Sequence, residues 1–305
     1  MAAKPEITGL LILTALVMIP PALTLLVACD WIKSKLVRTS RRRYLLRAAL
    51  IADVILVLCA ADAWLIEPRM LTVTRISAVS PKIASQTGNL KIVHISDVHF
   101  VRRTPLTERI LRTIQDEKPD LLFVTGDIQQ IGRYDRAQFR DFLSRLCAIA
   151  PSFGVTGYDD GPVLDRASGG KLRIMDNASS PAVIRGTEIS LWGVRAGGSR
   201  NGRGFLSIAL VHSPDDIAAA VESGADWCFA GHTHGGQVRL PFWGAIVTAA
   251  CTGKRYEYGR YRIGRTEAFV TRGIGLEPRP APQVRFLCPP EIVVLTLTNQ
   301  NPGRE

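Results

Sequence analysis

The chain divides by texture. From Ile7 to Cys29 no charged residue occurs and Leu, Ile, Val and Ala dominate, a run with roughly the 20 residues a helix needs to cross hydrocarbon. Pro20 and Pro21 fall inside it, which a membrane helix tolerates. A second apolar stretch, Leu45 to Ile66, is interrupted by Arg47, Asp53 and Asp62. It reads either as a second span or as an amphipathic helix lying at the interface, because charges at bilayer depth are costly. From about Leu90 the pattern becomes that of an α/β domain. Short apolar runs end in polar residues at Lys91–Ser96, Leu121–Thr125, Ile189–Val194, Ser207–Val211 and Trp227–Ala230, which is how buried strands read. Helical periodicity occupies Pro105–Gln115 and Ala137–Ala148, and Asp215–Ser223 reads as a helix closed by Gly224. Ile292–Leu297 reads as a last strand, and the Gly/Arg-rich segment Arg195–Gly204 as a mobile loop.

Charge sharpens the first of these textures. Between the two apolar runs lie Lys33, Lys35, Arg38, Arg41, Arg42 and Arg43, with no acid after Asp30. The positive-inside rule keeps this loop in the cytoplasm and places the domain after Ile66 on the extracytoplasmic side of a bacterial inner membrane. Ser40-Arg41-Arg42-Arg43-Tyr44-Leu45-Leu46 also resembles a twin-arginine export motif, and the bland reading is a plain basic loop. The expected organisation is a membrane anchor over residues 1–66, with a basic loop at 32–43, followed by one domain over 67–305.

The formal net charge of +11 suits an anionic partner, whether phosphate ester or acidic lipid. No Lys/Arg run interleaved with aromatics occurs in the C-terminal two thirds, so nucleic acid is not the expected partner. The six cysteines form no Cys-x-x-Cys pair and read as small buried hydrophobes.

Candidate chemistry comes from the placement of Asp and His. Asp97 and His99 follow one strand run as Asp-x-His. Asp127 follows another, His212 a third, and His232 and His234 a fourth. In extended chain, residues i and i+2 project to one side, so one strand end can offer a carboxylate and an imidazole to one cation. The C-terminal strand edge is also where open α/β sheets place their sites. Each of these residues alone reads as a cap, a turn or a satisfied core side chain, but their combination reads as a metal site. His94, inside its strand run, reads as core or as a support behind the ligands. Mixed carboxylate and imidazole donors suit Mn²⁺, Fe or Zn²⁺. Two such ions bridged by Asp127 would clamp a phosphate and generate hydroxide for attack on phosphorus.

These motifs resemble those of the calcineurin-like metallophosphoesterases, most closely a bacterial membrane-associated phosphodiesterase branch that includes chlamydial UDP-diacylglucosamine hydrolase. The resemblance covers about Glu67 to Leu297. It rests on Glu67-Pro68, His94-Ile95-Ser96-Asp97-Val98-His99, Thr125-Gly126-Asp127, His212-Ser213-Pro214-Asp215, Gly231-His232-Thr233-His234-Gly235-Gly236-Gln237, Arg272-Gly273-Ile274-Gly275 and Pro289-Pro290-Glu291-Ile292. It implies a four-layer α/β/β/α sandwich. It implies one metal held by Asp97, His99 and His234, a bridging Asp127, and a second metal held by His212 and His232. The family's Gly-Asn-His-Asp is here Gly157-Tyr158-Asp159-Asp160. Tyr158 replaces a second-metal ligand and Asp159 replaces the His that steadies phosphate, which weakens the second site. Either Asp159 or Asp160 can be a substitute ligand, or Asp160 only ties the loop down. The expected activity is metal-dependent hydrolysis of a phosphodiester or pyrophosphate in a lipid-linked or membrane-proximal substrate. The alternative is a weakly active or non-catalytic metal-binding membrane protein. A nucleotide-linked lipid A precursor, though possible by resemblance, lies on the cytoplasmic side and conflicts with the expected topology.

Overall fold

The computed structural model describes residues 14–15, 17–19, 21–26, 29, 40–161, 163–176, 178–194, 205–279 and 281–299. The loop expected at 195–204, about half of the first apolar run and most of the basic loop lie outside the described residues. Among the described residues one helix is long and apolar enough to cross a membrane, Arg47–Arg69, with a mean hydropathy of 2.3. It is the run that the sequence makes the weaker of the two, and few of its residues are buried against protein. Inside it Asp53 accepts a hydrogen bond of 2.6 Å from Thr24 of the first run. The α-helix Ser40–Ala61 continues through a π turn, Asp62–Ile66, into a 3-10 turn, Glu67–Arg69. There the buried Glu67 carboxylate accepts from the backbone N–H of Leu287, at 2.8 Å, and of Cys288. Arg285 N–H bonds the carbonyl of Ala63 at 3.0 Å. The C-terminal end of the helix is thus fastened to the segment 285–288.

The rest of the described chain is built on two six-stranded sheets. The first runs β1 (Thr72–Val79), β14 (Glu291–Thr298), β2 (Asn89–Ile95), β3 (Leu121–Val124), β4 (Ser152–Gly154), β5 (Leu172–Ile174). The second runs β12 (Gly259–Ile263), β13 (Thr266–Val270), β9 (Trp227–Ala230), β8 (Leu206–Val211), β7 (Thr187–Val194), β6 (Ser179–Ile184). A short hairpin pairs β10 (Arg239–Leu240) with β11 (Gly244–Ala245). Within the first sheet β2, β3, β4 and β5 are mutually parallel, and within the second β13, β9, β8 and β7 are.

Period-two alternation explains the layers. Along β2, Leu90 and Ile92 pack between the sheets with Phe123, Leu295, Leu210 and Phe229, while Val93 and Ile95 face the other way. That outer face is covered by the helices Pro105–Glu117 and Arg136–Cys147 through Ile110, Ile114, Phe139 and Leu143. Thr104 and Asp135 cap these helices by accepting from their first-turn N–H groups. The far face of the second sheet packs Ala209, Val211 and Cys228 against Ile217 and Ala220 of the helix Ile217–Glu222. The layers are therefore helix, sheet, sheet, helix. The expected helix Asp215–Ser223 is instead a 3-10 turn, Pro214–Asp216, leading into that short helix. Ser213 caps the turn, and the Asp215 carboxylate is drawn off to accept from Cys251 and Thr252 N–H at 3.0 and 2.7 Å.

Candidate metal centre

Parallel strands from both sheets end at one edge, and the loops leaving them carry the Asp and His residues singled out above. Asp97 and His99 follow β2, Asp127 follows β3, His212 follows β8, and His232 and His234 follow β9. Donor atoms of Asp97, His99 and His234 lie within 4.8 Å of one another, and so do those of Asp127, His212 and His232. The structure thus brings all six together, in two groups.

The route differs from simple strand alternation. Asp97 and His99 have φ of 52° and 43°, so the chain has left the extended region before it reaches them. Asp127, His232 and His234 also have left-handed φ, of 50°, 68° and 50°. Such backbone costs a non-glycine residue about 1–2 kcal/mol. It is held here by hydrogen bonds between the loops: Asp97 N–H to Gly126 carbonyl at 2.9 Å and His99 N–H to Asp127 carbonyl at 3.0 Å. His232 N–H lies 3.0 and 3.1 Å from the two oxygens of the Asp97 carboxylate. Two glycines permit the close approach. A Cβ on Gly157 would stand 2.2 Å from Asp127 Oδ1, and one on Gly231 would stand 2.4 Å from Asp97 Oδ2.

In the first group, His99 Nε2 is 3.1 Å from His234 Nε2, which is 3.7 Å from Asp97 Oδ1. Burial, with His99 and Arg285 nearby, holds the His234 pKa down at about 3 against the pull of Asp97, so its imidazole is neutral. His99 is raised instead: burial opposes this, but Asp159, Asp97, Asp127 and Glu277 together outweigh it. In the second group, His212 Nε2 is 3.2 Å from Asp127 Oδ2. Burial lowers the His212 pKa, yet Asp127 and Asp97 overcome it and lift it to about 9, while Asp127 is held well below the usual carboxylate range.

The residues fit divalent cations. Four carboxylates, of Asp97, Asp127, Asp159 and Glu277, converge on two ligand groups whose remaining donors are imidazoles, a crowding of like charge that a cation relieves. His212 Nδ1 lies 2.7 Å from the Thr125 carbonyl, which fixes a proton there and turns the buried Nε2 toward Asp127 and the centre. His232 Nε2 lies 3.2 Å from the Ala249 carbonyl, so a proton there frees Nδ1.

The substituted loop divides its labour. Asp160, fully buried, accepts from the N–H groups of Asp127, Ile128 and Gly157 at 2.7, 2.9 and 2.9 Å, so its oxygens are taken by backbone and it ties the loop down. Burial and the neighbouring Asp127 raise its pKa to about 6 in spite of these bonds. Asp159 donates its N–H to Asp127 Oδ1 at 2.7 Å and points its carboxylate at His99, Oδ2 to Nδ1 3.4 Å. Its position behind His99 is that of a carboxylate orienting a ligand imidazole. Tyr158 is 65 % exposed, and its ring stands 5.2 Å from that of His212 and 5.0 Å from that of His232, edge to face with both. Burial and the nearby Asp216 and Asp215 raise its pKa, so it remains a neutral phenol.

His94 lies outside both groups. It is fully buried, held down to a pKa of about 3 by that burial, and bonded through Nε2 to Thr125 Oγ1 at 2.7 Å, behind the residue whose carbonyl orients His212. Sequence reasoning missed Glu277. It sits in a loop without periodicity, four residues past the glycine of Arg272-Gly273, yet its Oε2 lies 3.0 Å from His234 Nε2. Beside the centre a cleft of about 250 Å³ is floored by His232, His234 and Glu277 and walled by Val238, Ile246, Val247, Ala281 and Pro282.

Residues 90–240 match the calcineurin-like phosphoesterase superfamily domain. The chain is 32 % identical over 269 residues to the uncharacterized metallophosphoesterase YkuE of Bacillus subtilis, covering 77 % of this chain and 88 % of that one. It is 28 % identical to the phosphodiesterase YaeI of Escherichia coli, over 68 % of this chain and 82 % of that one. It is 24 % identical to the UDP-2,3-diacylglucosamine pyrophosphatase LpxG of Chlamydia muridarum, over 75 % of this chain and 90 % of that one.

Proposed function

The chain belongs to the calcineurin-like phosphoesterase superfamily and is a hydrolase of phosphate esters or diphosphates, and from that premise we propose that it cleaves a phosphodiester or pyrophosphate bond in a lipid-linked substrate at the membrane surface. The observation that carries the reading is the cleft, with candidate metal ligands on its floor and aliphatic walls beside them. A phosphate can sit on the floor while an apolar substituent lies along Val238, Ile246 and Val247. The helix Arg47–Arg69 and the relative named as a diacylglucosamine-nucleotide pyrophosphatase support the same substrate class.

In this reading Asp97, His99 and His234 would hold one divalent ion and His212 and His232 another, with Asp127 available to both. Bound ions of this kind neutralise phosphoryl charge and lower the pKa of a water to the neutral range. The chain's own residues prepare for that. Thr125 and Ala249 set the tautomers of His212 and His232, Asp159 orients His99, and Asp160 holds the backbone of Asp127 in place. We place residues 1–66 as anchor and 67–305 as the domain, with the domain outside the cytoplasm because Lys33 to Arg43 is basic. The hydrogen bond from Thr24 to Asp53 supports pairing of the two apolar runs as a hairpin.

Full-length protein in detergent micelles tests this with two manganese-activated assays, one on bis-p-nitrophenyl phosphate and one on a panel of diacyl-lipid phosphodiesters and pyrophosphates. The expected result is turnover of both, with the lower KM for a lipid. Turnover of the soluble diester with no lipid accepted would sink the substrate class while leaving the hydrolase intact.

A further inference from the structure

Glu277 is held from both sides of the first ligand group. Its loop is fastened to the turn of Asp97, whose carbonyl accepts from the N–H groups of Ile274 and Gly275 at 3.2 and 2.6 Å. Glu277 N–H donates to Gln237 Oε1 at 2.7 Å, and Gln237 N–H bonds the carbonyl of His234 at 3.1 Å. The amide of Gln237 also donates to the Pro282 carbonyl at 3.0 Å, closing the far end of the same loop. Between these ties the Glu277 carboxylate reaches inward, with Oε2 3.0 Å from His234 Nε2 and 3.9 Å from His99 Nε2. Two donors each about 2.1 Å from one ion stand about 3.0 Å apart at a right angle and about 3.4 Å apart at the tetrahedral angle. The His99–His234 pair stands at 3.1 Å and the Asp97–His234 pair at 3.7 Å. Glu277 is therefore spaced from His234 as His99 and Asp97 are, although it falls outside the trio whose donors all lie within 4.8 Å of one another.

We propose that Glu277 is an additional carboxylate ligand of the ion held by Asp97, His99 and His234, completing that site from a loop outside the strand-end motifs. The proposal rests on the metal-centre reading above. A carboxylate oxygen suits the same cations as the Asp and His donors, and its charge adds to affinity where an amide would add little. It also accounts for a first group that is better supplied although the Asn-His pair is missing: beyond Asp97, His99, His234 and the shared Asp127, a further side-chain donor comes from 43 residues past His234.

The competing arrangement is a hydrogen bond from His234 Nε2–H to Glu277. Glu277→Gln separates the two, because the amide oxygen still accepts that hydrogen bond but offers an ion no charge. Manganese binding is measured on chelator-stripped, full-length native and variant protein in detergent, with the visible spectrum of the cobalt-loaded forms as a second readout. The expected result for Glu277→Gln is a loss of roughly tenfold or more in affinity at the tight site, with a changed cobalt spectrum and an unaltered weak site. Glu277→Asp, which keeps the charge on a shorter arm, should recover part of that loss. Native affinity and an unchanged cobalt spectrum in Glu277→Gln would overturn the proposal. Asp97→Asn separates this failure from that of the underlying reading. If Asp97→Asn loses the tight site and Glu277→Gln does not, only the role of Glu277 fails. If Asp97→Asn also binds like the native chain, both fail.

Discussion

The two ligand groups lie side by side at one sheet edge, yet they are supported to different degrees. Asp97, His99 and His234 are all buried, with Asp159 set against one imidazole and Glu277 against another. The group of Asp127, His212 and His232 ends in a half-exposed histidine, and an exposed phenol ring packs against both imidazoles. On the side of the second group the difference comes from one loop, Gly157–Asp160. Its second acid is used up on three backbone N–H groups, its first leans toward His99, and the residue left at the second position is a neutral tyrosine. If both groups hold ions as proposed, the two positions are thereby made unequal, with one ion expected to be resident and the other exchangeable.

The change with the largest expected effect removes the residue common to both positions. Asp127→Asn should lower turnover by about three orders of magnitude or more, since it takes away the charge shared by both ions. Steady-state assays with saturating manganese measure it, and near-native turnover would dissolve the comparison altogether. Asp159→Ala acts on the better-supported side. Freeing the His99 ring should weaken the tighter site by roughly 10- to 100-fold and leave the weaker one alone. Equal weakening of both sites, read by calorimetry, would show that Asp159 does not belong to one group. Tyr158→Asn acts on the other side and in the opposite direction, tightening the weaker site by about tenfold through an amide oxygen in place of a phenol. No change there would mean that the ring is not what limits the second position. Smallest in its effect on chemistry is His94→Ala. It should cost about 2–3 kcal/mol of stability from the cavity and the orphaned Thr125 hydroxyl, visible in denaturant unfolding, while turnover falls less than tenfold. A loss comparable to that of Asp127→Asn would make His94 a ligand rather than a support.

The clustering of the six Asp and His side chains was legible in the sequence because each stands directly behind an apolar run, and a run of that kind is a buried parallel strand whose C-terminal end is fixed in space. His232 and His234 behind Trp227–Ala230 are the clearest case. What alternation could not supply is the backbone at those ends. Asp97 and His99 share a cation-sized space through left-handed turns rather than through the two-residue period of an extended chain. The split between Asp159 and Asp160 was also closed to sequence, since adjacent acids look alike until one is seen to collect three N–H groups. Glu277 was invisible because its approach is made by a loop tied at both ends to Gln237. Edge strands such as β1 and β12 escaped for a different reason. Thr72–Val79 and Gly259–Ile263 alternate with polar residues and have one side open, so no continuous apolar run marks them.

The inequality of the two positions is tested most directly by titrating manganese into full-length, chelator-stripped protein in detergent and counting bound ions by calorimetry. The account predicts two unequal sites, one ion held tightly and a second about tenfold or more weaker. Two sites of equal, high affinity would contradict it, and would mean that Tyr158 leaves the second position as complete as the first.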